Sequence, residues 1–179
     1  MTNRKTSTRE GVPMVDDQPY SWSGRFTALD GEDQRAVATL VKEGGAIPDP
    51  IEQILPRLAR SHRVELLREP ATNRIVGAGV LKDPARHYRS SKFAAAGVAI
   101  DGYEDAPELG YVVVAKGVEG QGLGERLVRA VADPLTASCF ATTDNPRMHG
   151  KLQRAGFSRQ GQEWQGARGK LSLWMRPAR

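Results

Sequence analysis

Between Glu108 and Ala132 the chain passes from an apolar run rich in Val, through four glycines in eight residues, into a stretch of helical periodicity. Leu109 to Ala115 suits a strand buried on both faces. Leu123, Leu127 and Val131 then recur at four-residue spacing, with Glu125, Arg126 and Arg129 on the opposite face, which predicts an amphipathic helix. The joint is Gly117-Val118-Glu119-Gly120-Gln121-Gly122-Leu123-Gly124. Glycines there let backbone N–H groups converge, and the helix adds the unpaired donors and positive dipole end of its first turn. Such a joint is a cradle for an anion such as a phosphate; a Gly-rich strand-helix turn with no ligand is the alternative. Spacing excludes two phosphate-binding motifs. A dinucleotide fingerprint opened by Gly120 and Gly122 needs a glycine where Glu125 stands, and Gly117 to Gly122, at Walker spacing, is followed by Leu123 and Gly124 instead of Lys and Ser or Thr.

A chain of 179 residues with 39% hydrophobic content is long enough for one domain with a sizeable core. His62, His87 and His149 are scattered and Cys139 is the only thiol, so neither a metal site nor a disulfide framework is expected. Arg4, Lys5 and Arg9 have no apolar segment behind them, and no apolar run approaches membrane-spanning length. The expectation is a soluble, cytoplasmic protein with no membrane partner. A formal charge of +5 favours anionic partners in general, but no basic-aromatic array singles out nucleic acid, which stays a secondary option.

Residues 1–24 are polar and interrupted by Gly11, Pro13 and Pro19, which predicts a flexible N-terminal arm ahead of a domain over 25–179. A strand around Arg25 to Ala28 and a helix capped by Asp30 and running to Glu43 follow. Asp49-Pro50-Ile51-Glu52 opens a second helix with Ile51, Leu55 and Leu58 inward, which Pro56 kinks or ends early. Val64 to Arg68 and Arg74 to Leu81 read as a hairpin. Arg86 to Lys92 is basic without clear periodicity, and Asp101 to Pro107 is an acidic turn before the central strand. Ser138 to Thr143 reads as a strand, Asn145-Pro146 caps a helix ended by Gly156, and Gln160 to Trp164 and Leu171 to Arg176 are the last strands.

Glu119-Gly120-Gln121-Gly122-Leu123-Gly124 resembles the central motif of the GNAT superfamily of acyl-CoA N-acyltransferases, Gln/Arg-x-x-Gly-x-Gly/Ala between a strand and a helix, with Glu119 in the place of the usual Gln or Arg. Asn145-x-x-Met148-x-x-Lys151-Leu152-x-x-Ala155-Gly156-Phe157 resembles the family's later Asn-x-x-Ala-x-x-Leu-Tyr-x-x-x-Gly-Phe helix, with Leu152 where many relatives have Tyr. The resemblance spans about Arg25 to Arg176 and is sharpest from Glu108 to Phe157. It implies an α/β (α+β) fold with a mixed, mostly antiparallel central sheet flanked by helices, in the order β-α-α-β-β-β-α-β-α-β-β. It implies acetyl-CoA as co-substrate, no metal, and direct transfer of the acetyl group to a small-molecule or peptide amine. The coenzyme set is then Glu119, Gly120, Gln121, Gly122, Leu123 and Gly124 for the pyrophosphate, the strand at Val112, Val113 and Val114 for the pantetheine arm, and Asn145. The carried-over thioester contact needs a splayed or bulged central strand.

Glu108 opens the central strand where many family members place a carboxylate, which makes it the candidate base. Period-two alternation sets it on one face with Gly110 and Val112. A strand-end Glu in solvent, or a partner for a nearby Arg, is the alternative. With Leu152 unable to donate, Tyr111, Ser138 and His149 are the substitutes by residue type for the acid that protonates the thiolate. The acidic turn Asp101, Glu104 and Asp105 favours a cationic acceptor, and Arg86, Arg89 and Lys92 an anionic one; the acidic half lies nearer Glu108 in sequence and tips the expectation to a cationic amine. Competing readings are a degenerate GNAT scaffold binding coenzyme A or a protein, an acyltransferase acting on nucleic acid, and, for assembly, a homodimer.

Overall fold

The computed structural model describes residues 18–45 and 47–179. Its strands are β1 (Tyr20–Gly24), β2 (Arg63–Arg68), β3 (Ile75–Lys82), β4 (Glu108–Val114), β5 (Cys139–Thr143), β6 (Ser158–Gln165) and β7 (Lys170–Arg176). Its helices are α1 (Gly31–Glu43), α2 (Ile51–Ala59), α3 (Arg86–Ala96), α4 (Leu123–Ala132) and α5 (Pro146–Arg154). One seven-stranded sheet runs in the order β1-β2-β3-β4-β5-β7-β6, antiparallel except for the parallel step from β4 to β5. The mixed, mostly antiparallel sheet flanked by helices is the expected GNAT architecture, with one helix, α3, added between β3 and β4. Among the described residues no helix is long and apolar enough to cross a membrane.

Helices cover both faces. Val37, Leu40 and Val41 of α1 and Ile54 and Leu58 of α2 pack with Val64, Leu66, Ala78 and Val80 on one face. The opposite face carries α4 and α5, through Val128, Val131, Leu152 and Ala155 against Leu109, Cys139, Ala141 and Trp174. Burial of each such Leu or Val contributes about 1.5–3 kcal/mol, which holds each helix on its side of the sheet. Asp30 caps α1 by accepting from the Asp33 N–H at 2.8 Å, as expected. Pro56 neither ends α2 nor stops its last turn: it lies only five residues in, so its missing N–H costs one bond of a nine-residue helix.

Three expectations are corrected. The first strand lies at Tyr20–Gly24, inside the stretch assigned to the flexible arm, while Phe26–Ala28 is a single 3-10 turn that anchors Phe26 in the core. Edge strand β1 carries one inward apolar residue, Trp22, so its sequence signal is weak. It is held by pairing with β2 and by Arg126, which donates to Pro19 O at 2.6 Å and Ser21 Oγ at 2.7 Å. The rest of the proposed arm, residues 1–17, lies outside the described residues. The second correction is α3 itself. Its buried positions are Arg89, Phe93 and Ala96, a helical stripe whose first member is a cation and so breaks any apolar count. Arg89 is satisfied by carbonyls: it donates to Ala106 O at 2.8 Å, to Pro84 O at 3.1 Å and to Glu104 O. Third, β4 is buried on both faces only at Glu108 and Leu109; from Gly110 onward it is half-exposed, because it borders a cavity.

Candidate active site

Register along β4 departs from a regular ladder. Val80 pairs with Gly110 and Ala78 with Val113, so Tyr111 and Val112 oppose the single residue Gly79, a β-bulge. Tyr111 takes φ +50, a left-handed conformation that costs a non-glycine residue about 1–3 kcal/mol. The bulge changes which side chains share a face. Tyr111 and Val113 pack towards α1 and α2, while Val112 packs towards α4 and α5. Glu108 therefore shares its face with Gly110 and Tyr111, and the expected alternation through Val112 fails.

On its other side β4 meets β5 at one position among the described residues, Glu108 opposite Phe140. Beyond it the two parallel strands diverge, and past Glu108 β4 keeps its ladder with β3 but has no partner on the β5 side among the described residues. A cavity of about 1000 Å³ opens at this divergence. Tyr111 and Val113 from the α1–α2 face line it together with Val112, Ala141, Met148 and Leu152 from the α4–α5 face. The cavity thus passes through the sheet between β4 and β5.

A charged cluster sits in its wall. Glu108 is 2% exposed; its carboxylate accepts from the Thr142 hydroxyl at 2.8 Å and pairs with the Lys82 ammonium at 2.5 Å. Lys82 Nζ also lies 4.7 Å from the Tyr111 ring centroid and 5.8 Å from that of Tyr88. Burial pulls the Lys82 ammonium down, but Glu108 and the Tyr88 and Tyr111 hydroxyls outweigh it, and its pKa ends above the ordinary lysine value. Burial, reinforced by the negative charge of Glu108, pushes the Tyr88 phenol up. Register puts Lys82 opposite Glu108, a pairing visible only once β3 and β4 are aligned. Tyr88 belongs to the unexpected helix α3. Tyr88, Ser91, Lys92 and Ala95 all line the cavity, a second stripe at helical spacing beside the buried one.

Of the candidate acids, Tyr111 alone reaches the cavity. Ser138 donates to Gly102 O at 2.8 Å, and the His149 ring packs against Trp174 with centroids 5.0 Å apart. Cys139 is buried and burial pushes its thiol up to about 12, so no thiolate forms there at neutral pH. The acidic turn is elsewhere too. Glu104 and Asp105 border a separate 220 Å³ hollow with Ser138, and none of Asp101, Glu104 and Asp105 lines the large cavity.

Val112, Val113 and Asn145 of the coenzyme set line the cavity. Val114 and the loop from Glu119 to Gly124 stand outside its wall, and residues 119–122 are exposed to solvent. Gly117, Gly120 and Gly122 have φ of +91, +83 and +74, with open space where a side chain would begin, so backbone conformation is what demands glycine there. Gly122 is the N-cap of α4 and supplies no side-chain cap; the Glu125 N–H donates to Gly122 O at 3.0 Å, which leaves the Leu123 and Gly124 N–H groups at the helix start for a ligand or solvent. Glu119 folds back and accepts from the Gly117 N–H at 2.6 Å, so one donor of the loop is taken by the chain's own carboxylate. Asn145 caps α5 by accepting from the Arg147 N–H at 3.0 Å.

A sheet splayed between its two parallel strands, with a bulge on one and a glycine loop leading from it into a helix, defines the GNAT fold, and the chain has that fold. Solved structures of this fold include an acyl-CoA N-acyltransferase from Pseudomonas aeruginosa, with 14% identity, TM-score 0.64, and coverage of 88% of this chain and 99% of that one. A GNAT-family acetyltransferase from Streptococcus agalactiae matches with 10% identity and TM-score 0.67 over 89% of this chain and 96% of that one. The NatC complex, bound to Gag peptide and CoA, contains a chain matching with 15% identity and TM-score 0.63 over 89% and 99% respectively. No protein-family model matches the sequence, and a search of curated proteins finds no match.

Proposed function

We propose that the protein is an acetyl-CoA-dependent N-acyltransferase that moves an acetyl group directly to an amine. The observation that carries this reading is the cavity that passes through the sheet at the β4–β5 divergence, because it lets a donor on one face meet an acceptor on the other. The pantetheine arm would lie along the β5-facing side of β4 near Val112 and Val113, which β5 leaves unpaired, beside Asn145, Met148 and Leu152. Its pyrophosphate would rest on the N–H groups of the Glu119–Gly124 loop and the start of α4. The NatC complex, bound to CoA and containing a chain of this fold, supports a coenzyme A donor by analogy.

The amine enters from the α1–α3 side. Its nitrogen attacks the thioester carbonyl, a C–N bond forms, the C–S bond breaks, and the amine's proton passes to Glu108 directly or through one water. Lys82 keeps Glu108 in place as its ion-pair partner. Tyr111 is the proposed donor to the leaving thiolate, since the bulge brings its phenol into the cavity where Leu152 cannot serve. Tyr111→Phe keeps the ring and the backbone strain and removes only the hydroxyl. The expected result is a fall of about 100-fold in kcat with unchanged acetyl-CoA affinity; wild-type kcat would take Tyr111 out of the reaction.

A further inference from the structure

Among the described residues, four cationic side chains line the large cavity, Arg57, Lys82, Lys92 and Arg168, and three carboxylates, Asp49, Glu108 and Asp144. Each carboxylate is paired: Asp49 with Arg57 at 2.7 Å, Glu108 with Lys82 at 2.5 Å and Asp144 with Arg168 at 2.9 Å. Lys92 is left over. It is half-buried on the cavity stripe of α3, its Nζ lies 4.6 Å from the Tyr88 ring centroid, and it has no carboxylate partner among the described residues. The Tyr88 ring also touches Lys82, so Lys92 stands one ring away from the Glu108–Lys82 pair. Arg168 also donates to Gly45 O, which ties the β6–β7 turn to the end of α1 and encloses the acceptor side.

We propose that the acceptor amine carries an anionic group, a carboxylate or a phosphate, and that Lys92 is the residue that selects it. This rests on the acyltransferase reading above and names the substrate class of the same site. A single unpaired ammonium in a partly enclosed wall offers a ligand anion a charge-assisted hydrogen bond at a position already stripped of part of its water. A cationic side chain on the acceptor would meet net positive charge there instead. The acidic turn, which favours the opposite choice in the sequence, does not face this cavity.

The test is calorimetry on the full chain, free and saturated with coenzyme A, with the ω-amino acids from glycine to 6-aminohexanoate, each beside its carboxamide, and phosphoethanolamine beside ethanolamine. At least one anionic member should bind about 10-fold more tightly than its neutral twin, with the carboxylate and phosphate arms showing which anion is preferred. Lys92→Gln should shrink that ratio to within about threefold, and Lys92→Arg should keep most of it. Circular dichroism and Tm check that both variants fold. Equal binding of every anionic and neutral pair, absence of binding by all of them, or an unchanged ratio in Lys92→Gln overturns the inference. Acetyl-CoA titrated into the same protein reads the acyltransferase assignment separately. Coenzyme binding with no anion preference overturns this inference alone, whereas a Lys92-dependent preference without coenzyme binding overturns that assignment and leaves Lys92 as an anion site.

Discussion

Lys82 holds its charge in a place where burial works against charge, because Glu108 lies 2.5 Å away. Its folded pKa stands above the unfolded value, so its contribution to stability is fully present below pH of about 10.4 and is lost as pH rises through the higher folded value. Urea midpoints measured from pH 7 to 11.5 should therefore fall more steeply above pH of about 10.4 in wild type than in Lys82→Met; parallel curves would remove the linkage. Glu108→Gln breaks the pair from the other side and strands the ammonium, at a cost of about 3–5 kcal/mol. It should cut turnover sharply, shift the pH-rate profile of what remains and leave acetyl-CoA affinity near normal, and wild-type turnover across pH would remove Glu108 from the mechanism. Glu108 was singled out in the sequence because it opens the central strand, where the resembled family often places a carboxylate. Lys82 and Tyr88 were not, since a lysine ending a strand and a tyrosine in a basic run gain meaning only from register and from α3.

At the scale of elements, the glycine loop and α3 carry the most consequence. Glu119 occupies the Gly117 N–H and brings a negative charge to a cradle suited to anions. Glu119→Gln should raise coenzyme affinity by roughly 3- to 10-fold, and an unchanged or weaker Kd would place the pyrophosphate away from this loop. Gly122→Glu should abolish coenzyme binding in a protein that still folds; Gly122→Ala, with the same φ strain and no charge, separates the roughly 1 kcal/mol backbone cost from the electrostatic one. Both motif helices were predicted at nearly their observed bounds because Leu123, Leu127 and Val131, and then Met148, Leu152 and Ala155, repeat at helical spacing, the first after a glycine run and the second after the Asn145 cap. Helix α3 was missed because Arg89 fills the first buried position and three backbone carbonyls, not an apolar neighbour, satisfy it. Docking of α3 also depends on Gly161 of β6, where an added Cβ would lie 2.1 Å from Ala96 O.

Over the whole molecule, the resemblance carried by the glycine loop and the Asn145–Phe157 helix implied the fold class, while local pattern placed most of the elements but not β1 or α3. What local pattern does not give is the divergence of β4 from β5, a relation between strands 25 residues apart or more, set by how α4 and α5 fill one face and α1, α2 and α3 the other. The face exchanged at Tyr111 follows from the same geometry, as the bulge lets β4 curve away from β5 while keeping its ladder with β3. The central claim is that this opening, with the loop at its end, seats an acyl-coenzyme A. Titration of acetyl-CoA into the full chain by calorimetry tests it most directly: the account predicts saturable binding at one site per chain in the micromolar range, weakened by at least about 100-fold in Gly122→Glu. No saturable binding at high micromolar concentration, or binding of NAD or ATP in its place, would contradict it.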